Sequence, residues 1–368
     1  MKISSIEYLL LDKQFPFVLV HTDENVTGIG ECFVSQPAVI KTVVEEILTP
    51  AIIGKDPVQT ESRFRDMANA SESLEIGLTL NNTIGGAISI GMAGIDIALW
   101  DIKGKVLGLP IYDLLGGKVI EKVPLYASSI TREMTPIVEA KRAAYFVEDG
   151  YLAYKLHSAV PGKIDDRKDH TIATVKEVRN AVGDNIDILV DVNGAYSVHH
   201  SIEIGKQLED LGVFHFEEPR PHYDLEGLSK ISDALTIPIA SGEMIFSPYE
   251  YRDLIIRGKV DIIQPDIVKA PGFTGFLQIE KIANAFGIPI TCHNTQQTIS
   301  TVAHGHFVLA SEQTPYKQEY NIEHCSIRDD RPILKEPLNI SNGELKLTDK
   351  PGLGIELDLE TVRELANI

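Results

Sequence analysis

The chain has 368 residues, with 34 Lys and Arg against 53 Asp and Glu, a net charge of −19. That balance disfavours nucleic acid and anionic membrane surfaces as partners, and no basic run reverses it locally. With 43% hydrophobic and 24% charged residues, the composition is that of a globular protein with a large core, long enough for a barrel with an appended domain.

Three cysteines, Cys32, Cys292 and Cys325, form no CxxC pair. Neither a disulfide framework nor a zinc ribbon is expected, and a reducing cytosol fits. The N-terminus runs directly into an alternating strand, and no apolar run approaches 18 residues, so neither export nor a membrane span is predicted.

Residues 1–35 read as a meander: Ile3 to Leu10, Phe17 to His21, and Gly28 to Glu31, with a turn at Asp23 to Asn25. Residues 38–68 have helical spacing, with Pro57 opening a second helix near Val58. The polar stretch Ala70 to Gly86 predicts a loop. Ile88 to Lys105 is a buried helix closed by Gly108 and Pro110. Strand-like runs then recur at Val123 to Ala127, Ala153 to His157, Ile186 to Asp191, Val213 to Glu217, Ile237 to Ala240, Val260 to Gln264, Ile288 to Cys292 and Tyr316 to Tyr320. Helical segments, such as Asp169 to Val182 and Phe276 to Phe286, fill most of the gaps. Eight strands in that alternation predict a closed (β/α) barrel, with an open doubly wound sheet as the alternative. The tail from Pro337 onward predicts short strands, turning at Gly343 and Gly352, that return to the N-terminal domain.

Successive strands end in acids at a regular spacing. Asp191, Glu217 and Glu243 are each 26 residues apart, so they should end neighbouring parallel strands on one side of the sheet. Converging carboxylates repel unless a cation joins them, and three hard oxygen ligands suit Mg²⁺ or Mn²⁺ better than zinc. The bland alternative, strand-end acids that merely cap the next helix, is weaker for three in register than for one. The second strand ends in Lys155 and His157, two apart and on one face. The sixth, seventh and eighth offer Asp266, His293 and Glu319. An Asp beside a His fixes its tautomer and raises its basicity, which makes His293 a candidate general base. Glu319 is a candidate proton donor or acceptor if its pKa is raised. His21 and His324 are weaker candidates; His199, His200 and His222 read as exposed loop or helix-start residues.

This set resembles the enolase superfamily and, within it, the mandelate racemase-like subgroup. The matching residues are Asp191 and Asn193, Glu217 to Pro219, Gly242 and Glu243, Pro265 and Asp266, His293 and Glu319. The stretch Gly94 to Asp101, with Gly108 to Pro110 and Leu114 to Gly117, is similar to the subgroup's capping-domain signature, and Pro351 to Glu356 is similar to its C-terminal one. The resemblance implies a (β/α)7β barrel over 121–336, an α+β capping domain over 1–120, and a segment 337–368 returning to the cap. It also implies one Mg²⁺ on Asp191, Glu217 and Glu243, with Asn193 contacting substrate or a ligand, and a homo-oligomer. The shared first step is abstraction of the proton α to a carboxylate, giving a metal-stabilised enediolate, with Lys155 and Glu319 near the developing charge.

One departure bears on the activity. Many subgroup members carry Lys-x-Lys at the second strand, where this chain has Lys155 and His157. Racemisation needs two bases on opposite faces, so the change favours dehydration of a sugar acid, an aldonate or aldarate, to a 2-keto-3-deoxy acid. A racemase, epimerase or lactone cycloisomerase using the same intermediate is the alternative, and a non-catalytic metabolite sensor a third. Substrate choice is expected to lie in the loops Lys13 to Phe17 and Ala70 to Gly86.

Overall fold

The computed structural model describes residues 1–72 and 86–367. The expected loop at 70–86 therefore lies mostly outside the described residues. The chain opens with an antiparallel meander, β1 (Ile3–Leu11), β2 (Phe15–Thr22) and β3 (Thr27–Glu31). The segment expected as a substrate loop, 13–17, is instead a tight turn followed by β2. Asp12 and Lys13 take φ of 50° and 55°, and the backbone N–H of Asp12 donates to Leu365. Helical turns over residues 37–52 follow. The second helix starts at Thr60 rather than Val58, after the bend at Pro57, and runs Thr60–Glu72.

Helix Ala87–Leu107 is the axis of this first layer. Fifteen of its residues are buried, and Gly108 caps its C-terminus at φ 70°. It lies so close to β3 that a Cβ on Gly30 would stand 1.9 Å from the Gly94 carbonyl oxygen. Glycine is required there for lack of space, since its φ is ordinary.

The barrel strands are β4 (Val123–Ser128), β5 (Ala153–His157), β6 (Asp187–Asp191), β7 (His215–Glu217), β8 (Ile239–Ser241), β9 (Ile262–Ile263) and β10 (Gln318–Asn321). They pair parallel in chain order from β4 to β9, and β10 returns to β4. Covered on both faces, they are almost wholly buried, which is why they read as continuous apolar runs.

The expected strand at Ile288 to Cys292 is reduced to one bridge, Ile290 to Ile263. Side chains complete the closure towards β10. Gln318 Oε1 accepts from the Cys292 N–H at 2.7 Å, and Glu319 Oε2 accepts from the Asn294 N–H at 2.8 Å. The tail also differs in part from the expectation. Its hairpin β11 (Ile340–Ser341) and β12 (Glu344–Leu345) pairs with β4 of the barrel. The return to the cap follows, through Leu353, whose N–H donates to Asp101, and a final helix Leu359–Ala366 rather than strands.

Candidate active site

Register aligns the acids. His157 pairs opposite Asp191, and Asp191 opposite Glu217, across adjacent parallel strands, so the three reach the same end of the sheet. Asp191, Glu217 and Glu243 offer oxygens that all lie within 4.8 Å of one another. Asn193, turned at φ 42°, donates to Asp191 through both its backbone N–H (2.8 Å) and its side chain (3.1 Å). Its own side-chain oxygen accepts from Arg132.

Two groups of basic side chains flank the acids. On the β5 side, Lys155 Nζ is buried 2.5 Å from Glu217, 3.2 Å from Glu319 and 3.3 Å from Asp191. Burial alone would lower the Lys155 pKa, but Glu217, Glu319 and Asp191 outweigh it and hold the ammonium well above its usual range. His157 Nδ1 donates to the Ser129 carbonyl at 2.7 Å, which leaves Nε2 facing Asp191 at 2.9 Å. On the opposite side, His293 Nδ1 lies 2.7 Å from Asp266 and Nε2 lies 3.0 Å from Glu243. Burial lowers the His293 pKa, but Glu243 and Asp266 carry it up to about 10. His304 adds a further brace: it accepts from the Ile267 N–H, next to Asp266.

The carboxylates differ in environment. Burial and the charge of Asp191 push Glu217 well above the ordinary range, and its buried Oε2 has no hydrogen bond among the described residues, with His215 Nε2 3.5 Å away. Burial also works against Asp191, but Lys155 and His157 hold it well below. A buried acid beside another acid, with an orphaned oxygen, fits a hard divalent cation joining the three. Glu319 does not meet the condition set for a proton donor or acceptor, a raised pKa. Although buried, it is held at about 2 by Lys155 and His293, with donors from Ser128 and Asn294, so it stands as an anion in this geometry.

All eight expected catalytic and ligand side chains converge here, with Asn193. His21 does not, being bound to Glu7 and Thr27 in the meander, and His324 is exposed beside Asp330. His199 is exposed and His200 sits at a helix start, as expected, whereas His222 is half-buried. Three contributors were missed by sequence reasoning: Arg132; Glu31, which accepts from Gln296 in the loop after His293 and from the Ser300 N–H at the start of the following helix; and Lys269. The signal for Lys269 was a lone charge in the apolar run from Ile267 to Phe273.

Residues 10–116 match the mandelate racemase / muconate lactonizing enzyme N-terminal domain, and residues 138–362 match the enolase C-terminal domain-like family. The chain belongs to the enolase superfamily. Within its mandelate racemase-like group, relatives include a D-xylonate dehydratase of Haloferax volcanii, 30% identical over 98% of this chain and 88% of that protein. A D-galactarolactone cycloisomerase of Agrobacterium fabrum is 31% identical, over 94% and 90%. A solved mandelate racemase/muconate lactonizing protein of Paracoccus denitrificans, complexed with magnesium, superposes with a TM-score of 0.88 at 30% identity, covering 99% of this chain and 97% of that one. As in other mandelate racemase-like members, a capping domain covers a barrel whose strand ends carry the polar residues.

Proposed function

We propose that this enzyme dehydrates a sugar acid, an aldonate or aldarate, to a 2-keto-3-deoxy acid with Mg²⁺. The observation that carries the reading is the buried His293–Asp266 pair at 2.7 Å, facing the carboxylate trio. Asp191, Glu217 and Glu243 would hold the ion, which when bound supplies positive charge at the substrate carboxylate, where electron density accumulates as the α-proton leaves.

The chain's own residues supply the rest. Lys155, kept as an ammonium by three carboxylates, adds a second positive charge on the same side. Glu243 keeps the imidazole of His293 protonated until its charge is taken up by the ion it would hold; Asp266 then fixes the tautomer of the neutral ring, so that Nε2 is the atom presented to the α-proton. The C–H pair first passes to the α-carbon and the carboxylate; in a second step it forms the C=C bond as the β-carbon–oxygen bond breaks. The proton taken by His293 leaves with that oxygen as water, and the enol tautomerises to the keto acid. Glu319 serves as a fixed anion that holds Lys155 and the Asn294 backbone, not as a proton donor.

The dehydratase relative supports this reading over racemisation. The cycloisomerase relative keeps lactone isomerisation as the second reading. A panel of aldonates, aldarates and aldarolactones separates the two by product. Release of 2-keto-3-deoxy acid from an open-chain acid, abolished by EDTA and restored by Mg²⁺, is expected. Ring-opening or isomerisation of lactones alone, with no turnover of open-chain acids, would favour the second reading.

A further inference from the structure

The Lys269 ammonium is out of keeping with its surroundings. It is 1% exposed, yet among the described residues no oxygen accepts from it within hydrogen-bond distance. Its nearest neighbours are Met244 Sδ at 3.5 Å, Glu243 Oε1 at 3.8 Å, and the face of Phe33, whose ring centroid is 4.2 Å away. A buried cation with unmet donors costs stability, and such groups persist where a ligand completes them.

Its position is set by two anchors. The turn after β9 brings its backbone N–H onto the Asp266 carbonyl at 3.0 Å, and its own carbonyl accepts from Ser89 of the buried cap helix at 2.6 Å. Lys269 and His293 then approach opposite oxygens of one carboxylate, Oε1 and Oε2 of Glu243. Lys155 and His157 meet Asp191 on the other side. The Lys269 ammonium is thus a neighbour of the base and lies beneath a cap aromatic ring.

We infer that Lys269 is a substrate-contacting residue that hydrogen-bonds the oxygen on the substrate's β-carbon, the one that leaves. The inference rests on the dehydratase reading. The amine is separated from the base by a single carboxylate, which suits the carbon next to the one deprotonated better than a distant second carboxylate. The bonds made and broken are those given above. Lys269 stabilises charge on the departing oxygen and orients it towards the proton held by His293.

The test separates the two halves of the reaction. In D₂O, α-proton exchange into recovered substrate reports deprotonation, and keto acid reports elimination. Lys269→Met, close in shape and free of the buried charge, should fold with an unchanged or higher Tm. It should lose elimination about 100-fold or more while α-exchange survives within about tenfold. Lys269→Arg, which restores a donor, should recover part of the elimination rate. Equal loss of exchange and elimination in Lys269→Met, or loss of neither, overturns the inference. A Lys269→Met protein that fails to fold overturns it too, since the amine would then be structural. An unmodified enzyme that exchanges the α-proton yet releases no keto acid from any open-chain substrate overturns the dehydratase reading itself.

Discussion

Lys155 and His157 are two residues apart on one strand, but their surroundings assign them different work. Lys155 touches three carboxylates, so its charge is felt by any anion bound at the trio. Lys155→Met should therefore damage both binding and rate, raising KM and lowering kcat, because the positive partner is lost in the ground state and the transition state alike. His157 lies between the Ser129 carbonyl and Asp191, and dehydration needs only one base, so it is assigned as a wall of the site. Steady-state kinetics of His157→Asn should show turnover within about tenfold of the parent, about 1.4 kcal/mol. A collapse in His157→Asn would make it a second base and move the account towards racemisation. At this scale the sequence exposed every strand-end residue: most follow an apolar run, and Glu319, preceded by Lys317 and Gln318, is placed by its 26-residue spacing from His293. Lys269 escaped since it lies past the strand end, where the turn on Asp266 folds it back.

At the scale of elements, most of the barrel was legible from apolar runs of similar length and spacing; the eighth strand is largely polar and was placed by spacing, and the seventh is not a full strand. There the chain keeps one bridge, at Ile290, and the join to β10 is made by the side chains of Gln318, Glu319 and Asn321. Closure of that kind has no hydropathy signature, since a polar side chain replaces a backbone rung. It does make a prediction. Gln318 is buried and accepts from the Cys292 N–H, next to His293. Gln318→Leu leaves that N–H without a partner and should cost about 1–3 kcal/mol, read as a lower urea midpoint. An unchanged midpoint would mean that the seventh strand is held by other contacts. The tail was half legible. Its turns at Gly343 and Gly352 are where they were expected, but pairing of the hairpin with β4 is a long-range choice that local pattern does not encode.

Across the whole molecule, the cap and barrel are joined by buried polar contacts rather than by hydrophobic packing alone. Trp100 Nε1 donates to Thr274 Oγ1 at 3.0 Å, and Asp96 accepts from the Thr274 N–H at 2.9 Å and its hydroxyl at 2.7 Å. Burial raises the Asp96 carboxyl to about 7, although the Thr274 donors pull it down. The folded protein therefore holds a proton that the unfolded chain releases above about pH 4. That contribution to stability is complete below about pH 4 and is lost as pH rises through about 7. Asp96→Asn removes the titration. Between pH 4 and 7 its unfolding free energy should fall less steeply with pH than the parent's, by up to about 1.4 kcal/mol per unit. Identical slopes would show that Asp96 is ionised in the fold throughout.

In the proposed reaction His293 takes the α-proton beside a cation held by Asp191, Glu217 and Glu243. The direct measurement is α-proton exchange and keto-acid release by His293→Asn in D₂O, with Mg²⁺ affinity followed by calorimetry on the same protein. His293 touches Glu243 but contributes no oxygen to the trio, so Mg²⁺ binding should stay within about tenfold while exchange and product both fall by 10³-fold or more. A His293→Asn enzyme that exchanges the α-proton and releases keto acid at near the parent rate would refute a His293 base and place it at Lys155 or His157.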